Sequence, residues 1–436
     1  MSYKLGLGIA IALCLGSILG DTLFMFAGVP IAQVGSQSII AYIIVGIVIA
    51  VIATQLGELG SIMPHEKGGP YSYVSKSFGS ELGFITGILL FIGYCAIVSA
   101  TGLGFGGYLL SILGLSNGTA QTAIAIVIII LVSLVNLHGI KKMAELTRIL
   151  LVIALLTAAA FVAFALMHVH APSLGAIFQN TPAQNGLGAF FVAVTSIVFA
   201  YSGFQVIVTL TDNIKGGGRA ATETMVVSLL ISMVVYIAVT LGLLLLIPSA
   251  QSTITAYPLL YALNYVNAPY LFSALIGVGS LFAMSAAMIA IVFSASRLVY
   301  QIGNDGLLPG ITRSFDHRKS VAPSGIWISA AVSIALLFSG SLYTILSISN
   351  FGVLFSLLMA CFALVNMHRR KRLGRFVAPF YPYLTLISIA ACVVFLFGLP
   401  SQSLALGVVI IALILVTYYT LLEIRRKEVP RIKLFD

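Results

Sequence analysis

Apolar runs of about twenty residues alternate with short polar connections along almost the whole chain. That run length is what an α-helix, rising 1.5 Å per residue, needs to cross a hydrocarbon core of about 30 Å. Twelve such stretches are expected, at about Leu5 to Gly28, Ser38 to Ile62, Glu81 to Leu113, Gln121 to Leu137, Thr147 to Met167, Leu187 to Leu210, Ala221 to Ile247, Tyr270 to Tyr300, Ser324 to Phe338, Leu342 to Met367, Tyr381 to Leu399 and Gln402 to Leu422. Backbone amides and carbonyls have no water to bond to in lipid, so spans must be helical or closed barrels. The pattern therefore predicts an all-α integral membrane protein with twelve transmembrane helices.

Composition agrees. Hydrophobic residues make up 60% of the chain and charged ones 8%, against roughly 25% charged in a soluble domain, and mean hydropathy is +1.12. The first span is too long an apolar run for a cleaved signal peptide and is expected to stay in the mature protein. Charge then orients the spans. With this count all 22 Lys and Arg fall on one side, in connections, tails or the adjoining ends of spans, and the six connections on the other side carry no Lys, Arg, Asp or Glu. The positive-inside rule puts both termini in the cytoplasm of a cell-membrane protein. The net charge of +10 is thus topology, with Arg369 to Arg375 facing anionic lipid headgroups. It does not indicate nucleic acid, which would need a basic patch on a soluble face.

Several chemistries drop out by residue type and depth. Cys14, Cys95, Cys361 and Cys392 all lie inside spans and read as small packing residues, not disulfides. No HExxH or nucleophile elbow occurs, so no catalytic residue is expected and the chain does not read as an enzyme. His168 and His170 lack a third ligand, and neither a metal nor a cofactor is expected. Gly102-Leu-Gly-Phe-Gly-Gly107 imitates a nucleotide fingerprint but lies within an apolar span, where close helix packing is the better reading. Asn117-Gly-Thr119 is a glycosylation sequon in an outer connection.

Two features remain. Asp21 sits in Gly16-Ser-Ile-Leu-Gly-Asp-Thr22, midway along the first span. An ionised group at that depth costs from about 3 kcal/mol on insertion scales to about 10 or more in simulations, so an intramembrane acid is a functional candidate. The sixth span carries Tyr201-Ser-Gly-Phe204 in the middle of an apolar run. Glycine-interrupted helices in matching positions of two halves mark a transport site, because unwound backbone at the midplane must be satisfied by a ligand, an ion or cavity water. This predicts a single transport domain over 1–436: an inverted repeat of five plus five spans (about 5–167 and 187–367) with two extra helices (about 381–422), and with helices one and six discontinuous. Glycine as a plain packing device is the competing reading.

Four segments resemble the amino acid/polyamine/organocation permeases, in the right order and at the right topological places. They are Glu58-Leu-Gly-Ser-Ile-Met-Pro64 with Gly68-Gly-Pro-Tyr-Ser-Tyr73; Phe199-Ala-Tyr-Ser-Gly-Phe204 with Asp212-Asn-Ile-Lys215; Ser296-Arg297-Leu-Val-Tyr300; and Asn304-Asp-Gly-Leu-Leu-Pro309. The resemblance covers nearly the whole chain. It implies a LeuT-like fold and alternating access by a secondary transporter, a symporter of amino acids or related amines with proton coupling. In the family, amides at the first break hold a substrate carboxylate and carbonyls at the sixth-span break hold an ammonium group. Carried over, these are Ser17, Ile18, Leu19, Gly20, Asp21 and Thr22, and Phe199, Ala200, Tyr201, Ser202, Gly203 and Phe204. Tyr94 and Ser285 are candidate wall residues, with Asp21 and Ser285 also candidates for ion coupling, to proton or sodium.

The chain departs from the family where a small neutral residue becomes Asp21, and where a fifth-span lysine of some proton-coupled members is absent, with Ala154 near its place. Three roles for Asp21 stay open: a proton carrier with a pKa raised by desolvation, a partner for a cationic substrate, or an N-cap. Two other functions also stay open. One is a potassium-type cation carrier; the other is a non-transporting membrane sensor. The expected partners are a small-molecule substrate and membrane lipid.

Overall fold

The computed structural model describes residues 4–168, 187–247, 257–340 and 342–428. The chain forms α1 (Leu7–Phe26), α2 (Gly28–Val34), α3 (Gln37–Ile62), α4 (Pro70–Phe78), α5 (Ser80–Ile112), α6 (Gly118–Asn136), α7 (Ile140–Met167) and α8 (Leu187–Ala200). It continues through a 3-10 helix (Phe204–Asn213) to α9 (Gly217–Leu246), α10 (Pro258–Tyr265), α11 (Tyr270–Asn304), α12 (Pro323–Leu336), α13 (Leu342–Arg369), α14 (Tyr383–Phe397) and α15 (Ser401–Glu428). Among the described residues no strand forms; the only extended pairings are isolated bridges such as Leu5 with Ile214.

Among the described residues ten segments are long and apolar enough to cross a bilayer, the sixth being Gly188–Asn213, which joins α8 to the 3-10 helix. At the places of the expected ninth and eleventh spans stand two shorter apolar helices, α12 and α14. At 14 and 15 residues each is only about 21–23 Å long. The chain is a multi-pass membrane protein.

The helices sort by burial. α1, α5, α11, α13 and the sixth segment are mostly enclosed, whereas α6 and α15 are mostly exposed. The exposed face of α15 carries Val408, Leu413 and Val416, which in a bilayer meet acyl chains as apolar as themselves. Asn117, in the expected sequon, caps α6: its side chain accepts from the Thr119 and Ala120 amides (2.9 and 3.2 Å), satisfying donors the first turn leaves open.

The enclosed helices touch through small residues, as expected where lipid removes the hydrophobic drive between helices. Gly93 on α5 and Gly352 on α13 face each other's backbones: a Cβ on Gly93 would lie 3.3 Å from the Ser349 carbonyl, and one on Gly352 would strike the Leu89 carbonyl. The glycine run after Gly102 packs in the same way, with Gly102 against Ala125, Gly104 against Met25 and Gly106 against the Gln121 backbone. All four cysteines are buried free thiols.

The first span differs from expectation. α1 is one uninterrupted helix from Leu7 to Phe26, so the amides of Ser17 to Thr22 lie within the helical ladder. Two glycines cost only about 1 kcal/mol each relative to alanine, too little to open a helix packed on every side. Here they admit neighbours, Gly16 fitting against Thr147 and Ala286 and Gly20 against Ala283 and Ala287.

Gly352→Val is expected to push α13 off α5 and lower stability by about 1–3 kcal/mol. The thermal melting midpoint of the purified protein in detergent measures it.

Candidate substrate site at the break in the sixth span

α8 ends at Ala200, Tyr201 to Gly203 form a turn, and the chain resumes at Phe204 as a 3-10 helix. Gly203 has φ +105°, a conformation that a side chain makes costly. A Cβ there would also lie 2.5 Å from the Ser17 carbonyl oxygen. Glycine is thus needed twice over, for the turn and for the close approach to α1.

α8 ends at Ala200 with its carbonyl in the buried interior, while the Gly203 carbonyl accepts from the Val206 amide (3.0 Å). Three hydroxyls gather on these carbonyls and on those of α1. Ser17 donates to the Gly203 carbonyl (3.1 Å) and the Cys14 carbonyl (2.8 Å). The Thr22 hydroxyl is placed between the Ile18 and Ala200 carbonyls (2.8 and 2.9 Å). Tyr236, on α9, reaches the same two carbonyls (2.8 and 2.5 Å) and is hydrogen-bonded to Thr22. Each hydroxyl has a single proton, so Thr22 and Tyr236 share two donations among each other and the Ile18 and Ala200 carbonyls.

Around these groups Tyr236 stacks on Tyr42 at 5.2 Å, and Tyr201 meets both edge-on. The Tyr201 hydroxyl donates to the Tyr42 carbonyl (2.9 Å). On the other side of the turn the Gly203 amide donates to the Gln205 side-chain oxygen (3.1 Å). The Gln205 Nε2 is buried and has no hydrogen-bond partner among the described residues.

The expected site residues are thus partly brought together. Ser17 and Thr22 bond Gly203 and Ala200 through their side chains and not through α1 amides, and the Ile18 carbonyl shares Thr22 and Tyr236 with Ala200. Leu19 and Phe204 are buried apolar packing, Phe199 meets Phe26 at 5.4 Å, and Ser202 returns its hydroxyl to Val198 (3.3 Å). The Asp21 side chain lies outside the described residues, as does His170. Tyr94 is buried with its hydroxyl unpartnered among the described residues. Ser285 is half-buried, and its hydroxyl bonds the Leu281 carbonyl of its own helix (2.9 Å), so it makes no hydrogen bond to the break. Tyr42, Gln205 and Tyr236 were not among the expected residues. An aromatic or amide inside an apolar run carries no spacing signal that separates a site from packing.

A family model described as amino acid permease matches residues 5–420. The chain belongs to the amino acid permease family. Three curated relatives span nearly its length. It is 24% identical to the methylthioribose transporter of Bacillus subtilis (strain 168), over 93% of this chain and 90% of the relative. It is 25% identical to a branched-chain amino acid permease of Lactococcus lactis subsp. cremoris (strain MG1363), over 90% and 89%. It is 24% identical to the serine/threonine exchanger of Bacillus subtilis (strain 168), over 89% of each. The family and these relatives are carriers of solutes, not enzymes, and the chain is a membrane transporter.

In this permease the other family-like segments converge at one end of the bundle. Arg297, fully buried near the end of α11, donates to Asp212 (3.1 and 3.2 Å) and to the Asn213 side chain (2.8 Å). Lys4 donates to the Asp212 carbonyl (2.6 Å), and the Leu5 amide bonds the Asn213 carbonyl (2.6 Å). Lys67, in the connection before α4, lies over the Phe315 ring at 4.0 Å. Burial, with Arg297 nearby, holds its ammonium below the usual lysine pKa. Glu58, fully buried on α3, binds His368 (2.6 Å) and the Ala378 amide (2.8 Å). Glu58 and Arg297 stand inside expected spans, so Asp21 is not alone as a charge-bearing residue there. Their signal was the motifs themselves.

Gly203→Ala is expected to cut uptake by proteoliposomes at least tenfold, since it strains the turn and collides with α1. Asp212→Asn leaves Arg297 buried without its carboxylate, a change worth about 3–5 kcal/mol. Its melting midpoint should fall well below wild type, and Asp212→Asn with Arg297→Met should recover part of the loss.

Proposed function

We infer that this permease moves amino acids or related amines across the cell membrane by alternating access around the sixth-span break, coupled to protons. The observation that carries the reading is the set of carbonyls at Ile18, Ala200 and Gly203, held by the hydroxyls of Ser17, Thr22 and Tyr236. Such hydroxyls can turn away when an ammonium group arrives, because a cation donates more strongly to the same oxygens. Gln205 Nε2, a buried donor without a partner among the described residues, suits the carboxylate that the α1 amides cannot reach. The relatives' names, which include amino acid carriers, support the same substrate class.

The topology that goes with this reading is twelve crossings, with α12 and α14 as the short ones, both termini cytoplasmic, and a LeuT-like inverted repeat of 5–167 and 187–367 followed by 381–422. The end at which Arg297, Asp212, Lys4 and Leu5 meet is then the cytoplasmic one, and its closure seals the break from inside. Asp21 acts as the proton carrier. Its backbone lies on α1 immediately before Thr22, whose hydroxyl binds the Ala200 carbonyl, so proton gain there reaches the break through one residue.

The test is uptake into proteoliposomes of labelled L-leucine, L-threonine, putrescine and potassium under an imposed pH gradient. Uptake of an amino acid or the amine, stimulated by an alkaline interior, is expected. Uptake of potassium alone would transfer the protein to the cation carriers, and no uptake at all would favour a sensor. Asp21→Asn is expected to lose the gradient-driven part; a variant that follows the gradient as wild type does removes this carboxylate from coupling.

A further inference from the structure

Glu58 is a buried carboxylate that the break does not use. It lies near the end of α3, fully enclosed, and two donors reach it. His368, in the last turn of α13, meets its Oε1 through Nε2 at 2.6 Å, and the Ala378 amide donates to its Oε2 at 2.8 Å. The His368 ring is stacked on Tyr381 at 3.7 Å, and its side chain is 11% exposed. The imidazole, unlike the carboxylate, is within reach of solvent.

The pair joins two parts of the bundle. α3 goes with the break, since its Tyr42 carbonyl accepts from Tyr201, and α13 goes with α5, on which it packs closely through Gly352 and Gly93. The connection from 370 to 382 folds across the gap. Its Phe376 amide donates to Ser61 on α3 (2.9 Å), its Gly374 lies against Ser61 and Ile62, and Asn366 and Arg370 donate to the Ser77 carbonyl on α4 (2.8 and 3.1 Å). Little other charge faces the pair among the described residues. α13 adds Arg369 and the connection adds Tyr381, on which Glu58 and Arg369 both act; α3 and α14 add the neutral Gln55 and Ser388, bonded to each other at 2.5 Å.

We propose that Glu58 and His368 form a regulatory proton site, separate from Asp21, that clamps α3 to α13 and slows the carrier when the side it faces turns acid. The proposal rests on the alternating-access reading, whose topology makes that side the cytoplasm. With neutral histidine, Nε2–H donates to an ionised carboxylate, and the pair carries one uncompensated negative charge in the interior. A proton taken up cancels it, and a hydrogen bond between imidazolium and carboxylate is roughly twice as strong as a neutral one. Buried charge is costly unless paired, so the closed clamp holds this proton more tightly than an open, hydrated one. Linkage runs both ways: acid favours closure, and closure is lost as pH rises. Alternating access needs the break to move against α5 and α13, so a closed clamp holds it back. Protons carried inward thereby brake further uptake.

Hydrogen–deuterium exchange of the full chain in nanodiscs, read by mass spectrometry at about pH 6 and about pH 8, the range across which histidine changes charge, tests the clamp. After correction for the intrinsic pH dependence of exchange, residues 370–382 of wild type are expected to exchange at least about threefold more slowly at the acid pH, since protection measures local closure. His368→Gln keeps a donor beside the carboxylate but cannot take up the proton, and Glu58→Gln removes the charge; the corrected exchange of each should not change with pH. Counterflow of labelled L-leucine and L-threonine, at equal pH on both faces, should slow with acid more in wild type than in His368→Gln. Equal corrected exchange at the two pH values in wild type overturns the proton site, as does the same pH response in wild type and His368→Gln by either readout. Absence of counterflow at any pH brings down the substrate reading instead, and the exchange result still decides the clamp.

Discussion

The Ala200 and Gly203 carbonyls at the sixth-span break must find donors in the buried interior of the bundle, and α1 and α9 supply them. Leaving such groups unbonded in lipid costs several kcal/mol each. The donors come from α1, as Ser17 and Thr22, and from α9, as Tyr236. That requirement sets how α1 must lie. Its Ser17 and Thr22 must face the turn, and its glycines must let α11 approach from another side. Gly203 then has to be glycine, because the turn needs positive φ and α1 leaves no room for a Cβ. One broken helix is thereby tied to α1 and α9 through hydrogen bonds.

The charged end obeys a related rule with a higher penalty. Arg297 is wholly buried, and a guanidinium in that position stands only because Asp212 and Asn213 share its donors. Asp212 and Asn213 are the last residues of the 3-10 helix that follows the break, and Lys4 and Leu5 hold the same two residues from the N-terminus. A change in the 3-10 helix therefore pulls on a buried ion pair, and a change in the ion pair pulls on the helix. Coupling between the break and this end needs no separate device.

The sequence was most informative where a physical rule acts locally. Apolar run length located ten segments long enough to span and two shorter apolar helices, and the glycine series after Gly102 was rightly read as packing. The sixth-span break was legible because Ser-Gly after tyrosine inside an apolar run has few other uses. The first-span break was a misreading. Gly16, Ser17 and Gly20 are compatible with a broken helix and with a closely packed one, and only the neighbours Thr147, Ala283, Ala286 and Ala287 decide between them. Glu58 and Arg297 were visible as motif letters, but nothing in their spacing showed them to be fully buried.

What the sequence determined by itself was the solvent, the helical class and the family, because hydropathy and motif order are properties of the chain read in line. What only the tertiary structure decided was which groups meet. Tyr42 and Tyr236 reach the break from helices far away in sequence, and Gln205 accepts from the Gly203 amide. A hydrogen bond between distant residues depends on a few ångströms of helix position, and that distance is set by packing on all sides at once, which no local pattern records.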